Sequence, residues 1–220
     1  MALGNEVKKE LEKRGIIAVL EIENAEDAVP VAKALVDGGV TAIELALRTP
    51  AAMPSIELIA KNVPEMMIGI GTIIRKDQVE AVKKAGAHFG VAPGFNPNIV
   101  AEADRVGFPF APGIATASEL EGAVEMGNDV LKLFPAEPLG GNKYLNSMAG
   151  PYAYLGLKYI PLGGVSLDNL SSWAANDKVI AIGGTWIAKK PLIKAHDWAK
   201  ITENAREAVK VWNESRKQEN

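Results

Sequence analysis

Short apolar runs alternate with helically spaced segments from one end of this chain to the other, and that alternation restricts its fold more than any other feature. The runs fall at residues 16–20, 42–45, 67–71, 89–92, 108–111, 130–134, 159–162 and 179–182. Between them, residues 25–38, 50–62, 76–85, 96–106, 116–126, 141–148 and 167–176, and finally 198–216, carry apolar side chains at helical spacing, as in Val29, Ala32, Leu35 and Val36. The 141–148 stretch is the weakest of these. An apolar strand followed by a helix, repeated along a chain, is the pattern of parallel βα units. Eight such units in 220 residues fit a single (β/α)8 (TIM) barrel, whose lower length limit is about 200. A doubly wound open sheet usually has fewer strands, and no G-x-G-x-x-G follows the first run. We therefore expect one α/β domain over residues 1–220. Residues 1–14 are expected to form an extra N-terminal helix that closes the bottom of the barrel.

Composition narrows the function classes. The net charge is −3 with acids and bases interspersed, so no basic footprint for nucleic acid is expected. No apolar run reaches the ~18 residues of a membrane span. The start, MALGNEVKKELEKRG, lacks the apolar core of a secretory signal, which makes the cytoplasm the expected compartment. There is no cysteine, which excludes disulfides, thiolate metal sites and a cysteine nucleophile. The two histidines, His88 and His196, have no histidine neighbours, so neither a metal site nor a metal cofactor is expected.

Most of the strands end in glycine or proline: Gly69-Ile70-Gly71-Thr72, Pro93-Gly94, Pro112-Gly113, Gly163-Gly164 and Gly183-Gly184. In a barrel these positions form the C-terminal rim, where active sites are built. Any one of them is explained by a tight turn. The pairs after the seventh and eighth strands mean more, because barrels commonly hold a phosphate there on backbone N–H groups. Thr185 and Ser166 would add hydroxyl donors.

Two strands carry charges that an apolar strand should not. In 130–134 the only charge is Lys132, on one face with Val130 and Phe134. In the second strand, alternation puts Ala42, Glu44, Ala46 and Arg48 on one face. A parallel sheet is covered on both faces, so a lysine, a carboxylate and a guanidinium all point into the same interior. Such groups are costly there unless paired or functional. A structural pair, Glu44 with Lys132 or with Arg48, would satisfy the cost. The functional alternative gives each group a task. Burial disfavours the charged form of an amine, and a neutral amine attacks a carbonyl carbon. A guanidinium presents a planar fork to a carboxylate. A carboxylate can move protons.

The segments Ile43-Glu44-Leu45-Ala46-Leu47-Arg48-Thr49, Gly69-Ile70-Gly71-Thr72, Pro112-Gly113-Ile114-Ala115-Thr116, Leu131-Lys132-Leu133-Phe134-Pro135-Ala136-Glu137, Gly163-Gly164-Val165 and Gly183-Gly184-Thr185-Trp186 occur in this order. Together they resemble the class I 2-keto-3-deoxy-6-phosphogluconate (KDPG) aldolases, also called 4-hydroxy-2-oxoglutarate aldolases, over about residues 15–212. The resemblance implies a homotrimeric (β/α)8 lyase that uses no metal and cleaves a phosphorylated keto acid to pyruvate and an aldehyde. It also implies roles: Lys132 as Schiff-base lysine, Glu44 as general acid/base, Arg48 and Thr72 for pyruvate and its carboxylate. Pro93 and Phe134 would form an apolar wall, and Gly163, Gly164, Gly183, Gly184 and Thr185 the phosphate end.

Three positions depart from the family pattern. Leu162 and Ala46 stand where threonine is frequent, and Glu21 where many members have arginine. Loss of two hydroxyls should change the aldehyde half of specificity, since sites built to hydrogen-bond a substrate hydroxyl discriminate sharply. The same chemistry on 4-hydroxy-2-oxoglutarate or 2-keto-3-deoxy-6-phosphogalactonate is one alternative. A sugar-phosphate isomerase or epimerase is another, although metal-dependent epimerases need a ligand cluster that this chain lacks. A noncatalytic phosphate-binding barrel is the third, and a buried lysine in a strand speaks against it.

Overall fold

The computed structural model describes residues 3–217. Its strands are β1 (Ile16–Leu20), β2 (Ala42–Ala46), β3 (Met67–Gly71), β4 (Phe89–Val91), β5 (Phe110–Ala111), β6 (Gly113–Ile114), β7 (Val130–Leu133), β8 (Lys158–Pro161) and β9 (Ile182–Gly184). The helices are α1 (Asn5–Arg14), α2 (Ala28–Asp37), α3 (Ala52–Asn62), α4 (Lys76–Lys84), α5 (Pro97–Val106), α6 (Ala117–Glu125), α7 (Gly141–Ala149), α8 (Leu167–Ala174), α9 (Lys190–Lys194) and α10 (Trp198–Lys217). Every strand pair in the ladders is parallel.

The expected single run of eight strands is divided. One sheet has the order β5-β4-β3-β2-β1-β9, and a second has β6-β7-β8. The break between β5 and β6 falls at Pro112, which has no N–H to give to a ladder; its carbonyl still accepts from the Lys132 N–H at 2.9 Å. On the other side, two isolated parallel bridges, Tyr159 with Val179 and Leu162 with Gly183, join the β8 segment to the β9 segment. The last strand is also shifted. It was expected at 179–182 and is found at Ile182–Gly184, because Ile182, Gly183 and Gly184 are the residues in register with β1. The fifth strand begins late because the Phe108 N–H instead closes the end of α5 on the Ala103 carbonyl.

Alternation sorts the side chains into two cores. Ile17, Val19, Ala42, Met67, Phe89, Val91, Val130 and Ile160 point to one side, where they form a single inner cluster. Ile16, Ala18, Leu20, Ile43, Leu45, Leu131 and Leu133 point to the other, against the helices. Of the helix expected over residues 1–14, α1 covers Asn5–Arg14 and packs at one end of the strands, while residues 1 and 2 lie outside the described residues. Leu3 and Leu11 join the inner cluster, Lys8 pairs with Asp129 just before β7 at 2.6 Å, and Arg14 reaches the Thr41 carbonyl just before β2. The last helix, α10, packs on α2 and α8, with the Thr202 hydroxyl bonded to the Ala34 carbonyl.

The histidines lie apart. The Nδ1 of His88, just before β4, accepts the Ile68 N–H at 2.9 Å, and burial, aided by the charge of Arg14, lowers its pKa. His196 contacts the buried Asp27 carboxylate at 2.9 Å. Among the described residues no helix is long and apolar enough to cross a membrane.

Candidate active site

The C-terminal ends of the strands surround a pocket of about 630 Å³, its open mouth included. Its floor is the charged pair that the sequence left between alternatives. Lys132 Nζ lies 2.9 Å from Oε1 and 3.1 Å from Oε2 of Glu44, and the two side chains are only 5% and 6% exposed. Glu44 therefore pairs with Lys132 and not with Arg48. Gly71, on the neighbouring β3 and in register with Ala46, makes room for the carboxylate: a Cβ there would sit 2.0 Å from Oε1. The Phe134 ring centroid is 5.5 Å from Lys132 Nζ, so the amine faces both a carboxylate and an apolar wall.

Arg48 does line the pocket, but not beside the lysine. It stands two residues beyond the end of β2, in a tight turn where its N–H bonds to the Ala46 carbonyl at 2.8 Å. The side chain is half exposed and its Nη2 lies 3.0 Å from Oε2 of Glu21. The charges of β2 are thus split between two levels, a buried floor and a wet rim.

Thr72 and Pro93 also line the pocket. Thr72 has φ of 63°, a left-handed conformation that a β-branched residue adopts only against strain. Such strain gathers at functional sites. Gly163 and Gly164, with φ of 89° and 84°, form a left-handed turn along the wall, and Gly183 and Thr185 complete that end.

Two residues of the expected phosphate end stand outside the pocket lining. Gly184 is not part of the lining; the ring of Trp186 occupies the space where its Cβ would lie, within 1.6 Å, so the glycine there permits packing. Ser166 is not part of the lining either, because it begins α8, with its N–H bonded to Asn169 Oδ1. Two lining residues, Val19 and Val165, had been given no site role. Alternation from Ile17 along β1 would have found Val19, and adjacency to Gly163-Gly164 would have found Val165. Leu162 and Ala46 both line the pocket. Leu162 lies over Gly183, where its Cγ would be 2.4 Å from an added Cβ.

An amine in contact with a carboxylate, both withdrawn from water beneath a polar rim, defines an enzyme site suited to imine chemistry on a carbonyl compound. The comparisons with known proteins agree. A family model described as KDPG and KHG aldolase matches residues 7–204. A 2-dehydro-3-deoxy-phosphogluconate aldolase of Treponema pallidum is 38% identical over 91% of this chain and 95% of its own. The KHG/KDPG aldolase of Escherichia coli K12 is 40% identical over 88% and 90%. Among solved structures, the KDPG aldolase of Legionella pneumophila, holding pyruvate as a covalent carbinolamine intermediate, superposes with a TM-score of 0.87 at 34% identity, over 91% of this chain and 97% of that one. The chain belongs to the KDPG and KHG aldolase family, and is an aldolase, a carbon–carbon lyase of the class I, Schiff-base type.

Proposed function

We infer that Lys132 and Glu44 carry a retro-aldol cleavage of a 2-keto-3-deoxy acid, with 2-keto-3-deoxy-6-phosphogluconate the leading substrate. The observation that carries this reading is the buried contact between the two side chains at the pocket floor. Glu44 takes a proton from the ammonium across the 2.9 Å contact, and the freed amine attacks the C2 ketone. Glu44 returns that proton to the carbinolamine hydroxyl, which leaves as water, so that an iminium and a free carboxylate remain. Glu44 then takes the C4 hydroxyl proton, the C3–C4 bond breaks and its electron pair moves to the iminium nitrogen. The aldehyde departs and an enamine remains. The proton on Glu44 returns to C3, and water hydrolyses the new iminium to pyruvate and free lysine. One carboxylate thus handles each proton in turn.

In this reading Arg48 and Thr72 receive the pyruvate carboxylate, and Pro93 and Phe134 shield the imine carbon. Gly163, Gly164, Gly183 and Thr185 receive the phosphate. We also read the strands as one closed (β/α)8 barrel in one domain. This is supported by the near-continuity of β5 and β6 across Pro112 and by the two bridges from the β8 segment. A homotrimer in the cytoplasm belongs to the same proposal, with the family resemblance as its support.

A second reading concerns the aldehyde half. Leu162 fills the space above Gly183 with apolar side chain, which favours a shorter aldehyde fragment, such as that released from 4-hydroxy-2-oxoglutarate. The test of the chemistry is borohydride reduction in the presence of pyruvate, followed by digestion and mass mapping. The expected adduct is on Lys132. An adduct on Lys143 or Lys158, or none, would overturn the assignment.

A further inference from the structure

Arg48 reaches the pocket on a side chain that its own strand does not hold. Its backbone is settled: the Leu47 N–H bonds to the Gly71 carbonyl at 3.0 Å and the Arg48 N–H to the Ala46 carbonyl at 2.8 Å. Beyond the Cα, a long side chain stands half exposed at the rim. Among the described residues, the carboxylate in contact with its guanidinium is that of Glu21, 3.0 Å from Nη2.

Glu21 is built to hold that contact. It follows β1 on the face of Ile17 and Val19, so it continues the inward column to the rim. Its backbone neighbour Ile22 is fully buried, and the Ile22 carbonyl accepts the Thr49 hydroxyl at 2.5 Å. The segments that carry Glu21 and Arg48 are thus tied together next to their ion pair. The Glu21 side chain is only 18% exposed. Its other oxygen, Oε1, receives the ammonium of Lys190 at the start of α9. Glu21 holds the Lys190 pKa above the ordinary lysine range, with partial desolvation opposing it. Lys190 has a second, looser partner in Glu23 at 3.5 Å. The site pocket continues into this corner: Val19, Arg48 and Thr185 line both the pocket and the adjoining cleft beside Glu21 and Lys190.

The contact takes one corner of a guanidinium that has five donors. An edge remains for a substrate carboxylate. We propose that Glu21 is a positioning residue for the carboxylate clamp: it fixes Arg48 by Nη2 with its remaining edge toward the pocket, and Lys190 fixes Glu21 in turn. This rests on the role given to Arg48 above. The physical gain is preorganisation, since a rotamer-rich side chain ordered before binding does not have to be ordered by the ligand.

The test follows solvent deuterium exchange into the pyruvate methyl group, which reads pyruvate binding without an aldehyde. Glu21→Ala should raise the pyruvate KM by about two- to twelvefold, the scale of one ordered side chain, and leave kcat nearly as it was. Glu21→Gln should raise it less. Its single carbonyl can serve one of the two cations, and its near-equal volume guards against misfolding. Lys190→Met should shift KM in the same direction by a smaller factor. In an Arg48→Lys background, Glu21→Ala should have no further effect. A lower KM in Glu21→Ala would mean that Glu21 competes with substrate for Arg48, and would overturn the proposal. So would an unchanged KM, a fall in kcat alone, or an effect that persists in the Arg48→Lys background. If Arg48→Lys by itself leaves KM unchanged, the carboxylate clamp fails as well. If it raises KM while Glu21→Ala does not, only the role of Glu21 fails.

Discussion

The two charge clusters of this site hang from one strand, and their environments differ in nearly every respect. Glu44 lies within β2 and Arg48 in the turn just after its end. Glu44 meets Lys132 with both side chains almost out of solvent, whereas Arg48 meets Glu21 and, through it, Lys190 at a rim where the two cations are half exposed. The buried pair lies in a dry interior, where each charge has lost its hydration and must find compensation in the other. The rim cluster keeps water and is screened by salt. The lower pair is therefore an expensive arrangement for stability alone. Replacing such a pair with well-packed apolar groups is often neutral or favourable, so its presence at a pocket floor fits the proton transfer and nucleophilic attack proposed for it. The upper cluster costs little and binds weakly, which suits the carboxylate clamp proposed for Arg48.

The largest expected effect separates the clusters by chemistry. Lys132→Arg keeps a cation opposite Glu44 but supplies no neutral amine, so cleavage should fall by at least about three orders of magnitude. Steady-state assay with coupled detection of pyruvate measures it, and residual activity within tenfold of the unaltered protein would remove Lys132 from the chemistry.

The next effect separates them by stability. Glu44→Ala leaves a buried ammonium without a partner and should cost about 3–5 kcal/mol. Glu21→Ala should cost at most about 1 kcal/mol. Urea unfolding followed by circular dichroism compares the two. The double substitution Glu44→Leu with Lys132→Met should recover most of the loss, because the desolvation penalty disappears with both charges. Equal costs for the two single variants would erase the distinction between floor and rim.

The smallest effect lies on the wall between the clusters. Leu162 offers no donor to a substrate hydroxyl. Pyruvate exchange in the unaltered protein should therefore be robust and cleavage of 2-keto-3-deoxy-6-phosphogluconate weaker beside it. Leu162→Thr, alone or with Ala46→Thr, should improve kcat/KM for cleavage by about 1–3 kcal/mol of transition-state stabilisation. If the unaltered protein already cleaves as fast as it exchanges, and the substitutions bring nothing, the wall is neutral.

Much of the site was legible because strand alternation is a local rule. A period of two, applied to residues 42–48 and 130–134, is enough to turn Glu44 and Lys132 inward, and the apolar runs on either side are enough to imply that both faces are covered. The same rule applied to β1 would have reached Val19 and Glu21. It was silent on partners. Residues 44 and 132 are eighty-eight positions apart, and nothing in either segment says whether Glu44 turns to that lysine or to Arg48 four residues away. The Arg48–Glu21 contact joins two different loops, and its register depends on the β1–β2 ladder that sets Val19 opposite Glu44.

What the sequence by itself determined is what short-range physics dictates: parallel βα units, the inward placement of three charges, and glycine turns at the strand ends. What only the tertiary structure decided is how those pieces meet. It divided the strands into two sheets at Pro112, moved the last strand toward the residues that register with β1, packed the ring of Trp186 against Gly184, and sent Glu44 of β2 and Arg48 of the turn after it to different partners. Pairing and packing depend on register and on the side chains of elements distant in the chain, and those contacts exist only once the strands lie side by side.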